Sequence, residues 1–283
     1  MKIVNTDQAE QWNTGDDAAH WVNHQARYDR MNAPFADMIL DAAALRPGAD
    51  VLDVGCGCGT TTLAAARLIA PGQAVGLDLS GPMLARARAA AETAGLGNAE
   101  FLQGDAQVHP LEPGRFGTVV SRFGVMFFAD PVAAFANIRP AAQPTGQLVF
   151  VCWQPLAANQ WLLVPRTAMA EHVPLAGPGP GDGPGMFALA DPDRIRQVLD
   201  RAGWRDVKVT AEQRPVLVGG GGSLDATVEF LRTSSIGRTV LTGVDPGTAA
   251  RALASLRAAL APHADDEGVH LTAAVWLVQA TAS

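Results

Sequence analysis

The sequence predicts an α/β protein organised on a mostly parallel sheet. Three observations carry the prediction. Short apolar runs alternate with helical segments from residue 51 to residue 153, the pattern of consecutive βαβ units. The first run, Val51-Leu52-Asp53-Val54, breaks into Gly55, Gly57 and Gly59 and opens directly into a helical stretch over residues 61–68. Acidic residues recur where strands end, Asp78 and Asp105 at the exits and Asp53 just inside one. Right-handed crossovers place a ligand at that carboxyl edge of the sheet.

Residues 1–15 are polar and read as a loose segment. A helical pattern begins at Asp16 or Asp17, either of which can cap it. Trp21, His24 and Tyr28 then fall on one face, with His20 one turn before His24. That face either packs on the body of the protein or forms a lid over a ligand. Residues 35–45 read as a second helix, with Pro34 near its start and Pro47-Gly48 ending it. Strands follow at 51–54, 74–79, 100–103, 118–121 and 147–153, with helices over 60–69, 83–94 and 131–138 between them. Ser80 is placed to cap the second of these helices, with Pro82 in its first turn.

Beyond Trp153 the texture changes. The run from Gly177 to Gly185 alternates Gly with Pro and Asp, cannot be helix or strand, and is expected to be mobile. A helix is expected over 192–202, a strand over 207–210, a mainly helical stretch over 223–262 and a last strand over 269–280. The expected organisation is one domain. Residues 1–48 give amino-terminal lid helices, 49–153 a ligand-binding core, and 154–283 the rest of the sheet with insertions at about 154–190 and 214–268.

Composition narrows the function. The chain has 283 residues, 48% of them hydrophobic, enough to bury a sizeable core. The net charge of −7 and the absence of a Lys/Arg cluster argue against nucleic acid, which leaves a basic footprint. Cys56, Cys58 and Cys152 make no disulfide framework, and a lone C-x-C spacing is poor for zinc. They read as small packing residues, with no metal site. Without a signal-peptide core or a membrane-length apolar run, the expected compartment is the cytoplasm.

The glycine turn has the form G-x-G-x-G. A dinucleotide fingerprint requires glycine where this chain has Thr60, and a phosphate-binding loop requires Gly-Lys-Ser/Thr after the glycines, which is missing. Asp78 can accept two hydrogen bonds from ribose hydroxyls. Asp53 can approach a cationic or amino group over the turn, where it would repel a pyrophosphate. Asp105, in Gly104-Asp105-Ala106, stands where an adenine amino group could donate to it. The stretch Ser121-Arg122-Phe123-Gly124-Val125-Met126-Phe127-Phe128-Ala129-Asp130-Pro131 is an aromatic loop at the end of the fourth strand.

These four motifs, in this order and spacing, resemble those of the class I S-adenosyl-L-methionine (SAM)-dependent methyltransferases. The closest likeness is to the small-molecule group that includes the ubiquinone/menaquinone biosynthesis C-methyltransferases. The resemblance covers about residues 20–153 and implies a Rossmann-like sheet of seven strands with the last antiparallel, helices on both faces, and a helical lid and insertions. It implies that Gly55, Cys56 and Gly57 meet the methionine arm of SAM, with Asp53 nearby; Thr60 and Tyr28 are further cofactor-binding candidates. By the same likeness Asp78 binds the ribose, Leu79 and Met83 flank the adenine, Asp105 and Ala106 hold its edge, and Ser121 lies beside the sulfonium.

The implied reaction is in-line methyl transfer to a small acceptor, leaving S-adenosyl-L-homocysteine (SAH). Alignment and exclusion of water do most of the work. A base is needed only if the acceptor must lose a proton, and His24 and His172 are the candidates. The acceptor pocket is expected from Arg122, Phe123, Met126, Phe127, Trp153 and Trp161, an apolar set with one arginine that suits a hydrophobic small molecule. No nucleic-acid or membrane partner is expected. Two other readings remain open: a SAM-binding enzyme catalysing a cyclisation or isomerisation, and a non-catalytic SAM-binding protein.

Overall fold

A computed structural model describes residues 2–174 and 183–282. At its centre lies β1 (Val51–Val54), buried at every position. A strand covered on both faces reads as a continuous apolar run rather than an alternating one, which is why four residues identified it. β1 pairs in parallel with β2 (Ala74–Asp78) on one side and β4 (Phe116–Arg122) on the other. β3 (Ala99–Gln103) extends the sheet beyond β2, and β5 (Ala142–Trp153) continues it beyond β4. The order is β3-β2-β1-β4-β5-β7-β6, where β6 is Arg205–Leu217 and β7 is His270–Thr281. β7 runs antiparallel to both neighbours. The seven-stranded, mostly parallel sheet with a reversed last strand is therefore present, with helices packed around it.

The amino-terminal region departs from expectation. Residues expected to be loose form α1 (Thr6–Thr14), followed by α2 (Asp16–Asn23) and α3 (Gln25–Ala43). α1 has no apolar stripe of its own. It is held from outside: Asn13 Nδ2 donates to the Leu79 carbonyl at 3.0 Å, the Gly81 N–H donates to Asn13 Oδ1 at 2.9 Å, and Ser80 Oγ donates to the Trp12 carbonyl at 2.6 Å. Pro34 does not start a helix but lies inside α3. Met31, Phe35, Met38 and Ile39 form one buried stripe through it, at the i, i+4, i+7, i+8 spacing of a core-facing helix. Each such side chain contributes roughly 1.5–3 kcal/mol on burial, enough to carry the helix past the proline.

Between the strands lie α4 (Thr60–Ile69), α5 (Gly81–Thr93) and α6 (Pro131–Ile138). Ser80 caps α5 as expected, its Oγ accepting from the Met83 N–H. The later chain supplies α7 (Gln160–Ala170), α8 (Pro192–Arg201), α9 (Leu224–Thr233), α10 (Ser235–Leu241) and α11 (Pro246–Leu260). β6 is far longer than the four residues expected, so the second insertion begins after Leu217 rather than at 214. Of the Gly/Pro run, residues 177–182 lie outside the described residues. Gly185 folds back onto the loop after β4, its N–H donating to the Met126 carbonyl at 3.1 Å.

Candidate active site

The glycine turn is shaped by close approach. Gly55 has φ +70° and faces Gly124; a Cβ there would stand 2.6 Å from the Gly124 Cα. Only glycine tolerates both the left-handed backbone and that contact. The loop after β4 is thereby seated directly over the end of β1. A cavity of about 480 Å³ opens at this edge, within the range of small-molecule sites. It runs from the exits of β3 and β2, through the glycine turn, to the ends of β4 and β5.

Four backbone donors of the turn are already engaged. The Gly55 and Cys56 N–H groups donate to the Leu77 carbonyl at 2.8 and 3.3 Å, and Gly59 N–H donates to the Cys56 carbonyl at 2.9 Å. The Gly57 N–H donates to Asp78 Oδ2 at 2.7 Å, while Asp78 Oδ1 accepts from Ser80 N–H at 2.8 Å. These bonds fix the carboxylate and leave it acceptor positions for a ligand. Burial pushes the Asp78 carboxyl up, against the pull of those backbone donors.

Asp53 is 1% exposed and accepts from Thr62 Oγ1 at 2.6 Å. Burial raises it to about 6, with the Thr62 bond and the charge of Arg122 pulling the other way. Asp105 is equally buried. Its Oδ2 accepts from the N–H groups of Val4 and Asn5 at 2.9 and 2.8 Å, and Oδ1 accepts from Gln107 N–H at 2.9 Å. Three of roughly four lone-pair positions are taken, so the chain's own amino terminus shares the group expected to meet adenine. Cys56 and Cys58 line the cavity as thiols, Cys58 pushed up to about 12 by burial.

A cluster of rings from α2, α3 and α9 lines the cavity on the side of the amino-terminal helices. Tyr28 stacks on Trp21 with centroids 3.9 Å apart and planes within 5°. Its hydroxyl lies 3.1 Å from His20 Nδ1, and His20 Nε2 lies 3.2 Å from Thr233 Oγ1. Burial, with the charge of His24, lowers His20 to about 4. Phe230 packs edge-on against Tyr28 at 5.1 Å. At the other end Phe123 stacks on Trp153 at 4.1 Å, and Trp161 lies 5.1 Å from Trp153.

The cavity brings together Tyr28, Asp53, Gly55, Cys56, Gly57, Thr60, Asp78, Leu79, Met83, Asp105 and Ala106, and also Arg122, Phe123, Met126, Phe127, Trp153 and Trp161. Three of the expected residues stand apart from its lining. Ser121 is buried with Oγ donating to the Val54 carbonyl at 2.6 Å, so it ties β4 to β1 instead of facing a ligand. His24 ends α2 as its C-cap and turns its ring onto His20, 4.3 Å between centroids. His172 follows α7 and meets Ser255 Oγ on α11 at 2.9 Å. His20, one turn before His24, is the histidine that lines the cavity. Sequence reasoning also missed Asn5, Gln8 and Trp12 on the amino-terminal segment, Asp29 on α3, and Ser235 and Ile236 on α10. The Trp12/Trp21 pair could have flagged α1; the α10 residues carry no recognisable signal.

The charge pattern decides what the site can hold. Asp17, Asp29, Asp53, Asp78 and Asp105 line it, against one guanidinium among the described residues, Arg122. Such a cavity suits a cationic ligand with ribose hydroxyls and repels a pyrophosphate. Fold and site together define a nucleoside-binding α/β protein built for a positively charged cofactor, and the residues present fit SAM.

The comparisons agree. The methyltransferase domain family matches residues 51–146. Nocamycin O-methyltransferase of Saccharothrix syringae is 30% identical over 204 residues, 66% of this chain and 72% of that one. The demethylmenaquinone methyltransferase of Thermus thermophilus is 33% identical over 141 residues, 50% of this chain and 62% of that one. In fold, Haemonchus contortus phosphoethanolamine N-methyltransferase 2, solved with SAM, superposes with a TM-score of 0.59 at 18% identity, covering 99% of this chain and 60% of that one. The chain belongs to the class I SAM-dependent methyltransferases, and SAM is the cofactor of that family.

Proposed function

We propose that this protein transfers a methyl group from SAM to a small, largely apolar acceptor. The observation that carries the reading is the continuity of one cavity from Asp78 and the glycine turn to the Phe123–Trp153–Trp161 wall. SAM, when bound, supplies an electrophilic methyl carbon. In this reading Asp78 orients the ribose, Asp105 and Ala106 the adenine, and Asp53 faces the ammonium end. The stacked Phe123 and Trp153 rings flatten one wall of the acceptor space and keep water from it. Holding the two reactants in line supplies roughly 7–11 kcal/mol of the barrier reduction. An oxygen acceptor is supported by the relative named as a nocamycin O-methyltransferase. Where that oxygen must lose a proton, His20 takes the role first expected of His24, since it is buried, neutral near pH 7 and at the cavity. Ser121, by contrast, acts by holding the β1 and β4 ends together.

The test is incubation of the full chain with SAM and a panel of phenols, enols and apolar acids, following SAH release, with cofactor binding measured separately by calorimetry. SAH formed with one apolar acceptor class is the expected result. Tight SAM binding with no SAH across oxygen, nitrogen and carbon acceptors would overturn the transferase reading and leave a binding or rearrangement role.

A further inference from the structure

Arg122 closes β4 and lines the cavity. Its Nη2 pairs with Asp29 Oδ1 at 3.5 Å, with the side chain only 12% exposed. Asp29 is tied in turn to the start of α4, where Thr60 Oγ1 donates to the same Oδ1 at 2.7 Å. The guanidinium thus sits over the region of the glycine turn. Among the described residues, its Nη1 is shut off from solvent and has no hydrogen-bond partner. A buried charged donor left unmatched costs on the order of 1–3 kcal/mol or more. Such an atom is matched by a ligand acceptor or an ordered water.

The cavity is poor in positive charge. Arg122 is the one arginine or lysine among its described lining residues, surrounded by aspartates. The N–H groups of Gly55, Cys56, Gly57 and Gly59 are all engaged within the protein. A ligand carboxylate placed near this turn is therefore not received by those four amides. It would also be repelled by Asp53 and Asp78 unless a cation stood between them. The SAM methionine arm carries one such carboxylate beside its ammonium group.

We propose that Arg122 Nη1 receives the α-carboxylate of the cofactor's methionine arm, while Asp53 faces the ammonium group. The two side chains then form a receptor for a zwitterion, with opposite charges set on adjacent strands, β4 and β1. This inference rests on the cofactor assignment but not on transfer to any acceptor. It gives Arg122 a role different from the acceptor contact expected from sequence.

The experiment compares two nucleosides by calorimetry on the full chain. SAH carries the amino-acid arm; 5′-methylthioadenosine shares the adenosine and thioether but lacks the carboxylate. Wild-type protein is expected to favour SAH. In Arg122→Gln the SAH affinity should fall about 10- to 100-fold, while 5′-methylthioadenosine binds within about threefold of wild type. Arg122→Lys, which keeps the charge but not the fork, should recover part of the loss and serves if the glutamine variant folds poorly. Equal weakening of both nucleosides would assign Arg122 a structural role and overturn the proposal. Unchanged SAH affinity would also overturn it and move the free Nη1 to an acid group on the acceptor. Wild-type protein that bound neither nucleoside would instead sink the cofactor assignment itself.

Discussion

Asn5 and Asp105 join the amino terminus to the cofactor edge of the sheet: the Asn5 N–H donates to Asp105 Oδ2 at 2.8 Å across a separation of 100 residues. Asn5 Nδ2 also donates to the Phe127 carbonyl at 2.8 Å, in the loop that follows β4. α1 is therefore a strap whose position depends on a carboxylate that lines the cavity, the one proposed to meet the adenine. Asp105→Ala removes the acceptor of two backbone N–H groups. Hydrogen bonds to a charged group contribute about 1.5–3 kcal/mol each, so amides in residues 4–14 should exchange with solvent at least tenfold faster, and SAH should bind more weakly. Asn5→Ala keeps the carboxylate and should give a smaller loosening. Exchange rates unchanged in Asp105→Ala would show that Asn13 and Trp12 hold the strap unaided.

Asp78→Ala should weaken SAH binding by about 1–3 kcal/mol, the cost of losing charge-assisted hydrogen bonds to the ribose. The variant also frees the Gly57 and Ser80 N–H groups, so Asp78→Asn, which keeps an acceptor oxygen, should lose less. Calorimetry on both variants decides the point. Equal affinities for wild type and both variants would remove Asp78 from the site.

The parts legible in sequence were those set by backbone logic. β1 and β2 are short and buried, β3 is a short edge strand with Phe101 inward, and glycine or serine follows each closely, so their limits are legible to within a residue. Asp53, Asp78 and the glycines followed, because strand ends fix where their backbones lie. What failed depended on partners remote in sequence. α1 carries polar residues throughout, and its anchors are Leu79, Ser80 and Asp105. β6 continues through Glu212-Gln213-Arg214-Pro215, residues that read as loop. At the sheet edge a proline and charges are tolerated, because among the described residues β6 pairs on one side only, with β7. Ser121 could turn to a ligand or to a neighbouring carbonyl, and only the packing of β4 against β1 chose Val54. His20 and His24 share a helical face on paper, but α2 ends at Asn23 and rotates His24 away.

Asp53 and His20 oppose one another in the pH dependence of stability. Burial raises Asp53 from 3.8 to about 6, so between those values the folded chain binds a proton that the unfolded chain has lost. Its contribution is full below about pH 4 and disappears as pH rises through 6. His20 is lowered from 6.5 to about 4, so the unfolded chain binds the extra proton, and stability from this group grows as pH rises through the same window. Urea unfolding at pH 4.5, 5.5 and 6.5 separates the two. Asp53→Asn should gain up to about 3 kcal/mol at pH 7 and show stability rising with pH more steeply than wild type. His20→Asn should show the reverse slope. Parallel profiles for all three proteins would contradict both assignments.

The acceptor wall separates from the cofactor site in a different measurement. Trp153 is stacked on Phe123 and lies at the end of β5, away from Asp78 across two strands. Trp153→Ala should raise KM for the acceptor about tenfold or more while leaving SAH affinity within about twofold, since a buried aromatic side chain contributes on the order of 3 kcal/mol. A parallel loss of SAH affinity would mean that the ring supports the cofactor end, or that the variant has collapsed; its melting temperature distinguishes these.

His20 offers the sharpest division among the histidines. With its ordinary value lowered to about 4, the ring is neutral at pH 7, and one nitrogen accepts from the Tyr28 or Thr233 hydroxyl. A proton leaving an acceptor can reach that nitrogen in place of either hydroxyl. His20→Ala should then lower kcat about 10²- to 10⁴-fold for an acceptor that is protonated at the working pH. An acceptor already ionised should be methylated nearly as fast as by wild type. His172→Ala, whose ring meets Ser255 away from the cavity, should leave both rates unchanged. If His20→Ala slows the ionised and protonated acceptors equally, the ring only packs the lid, and proton removal falls to solvent or to the acceptor's own acidity.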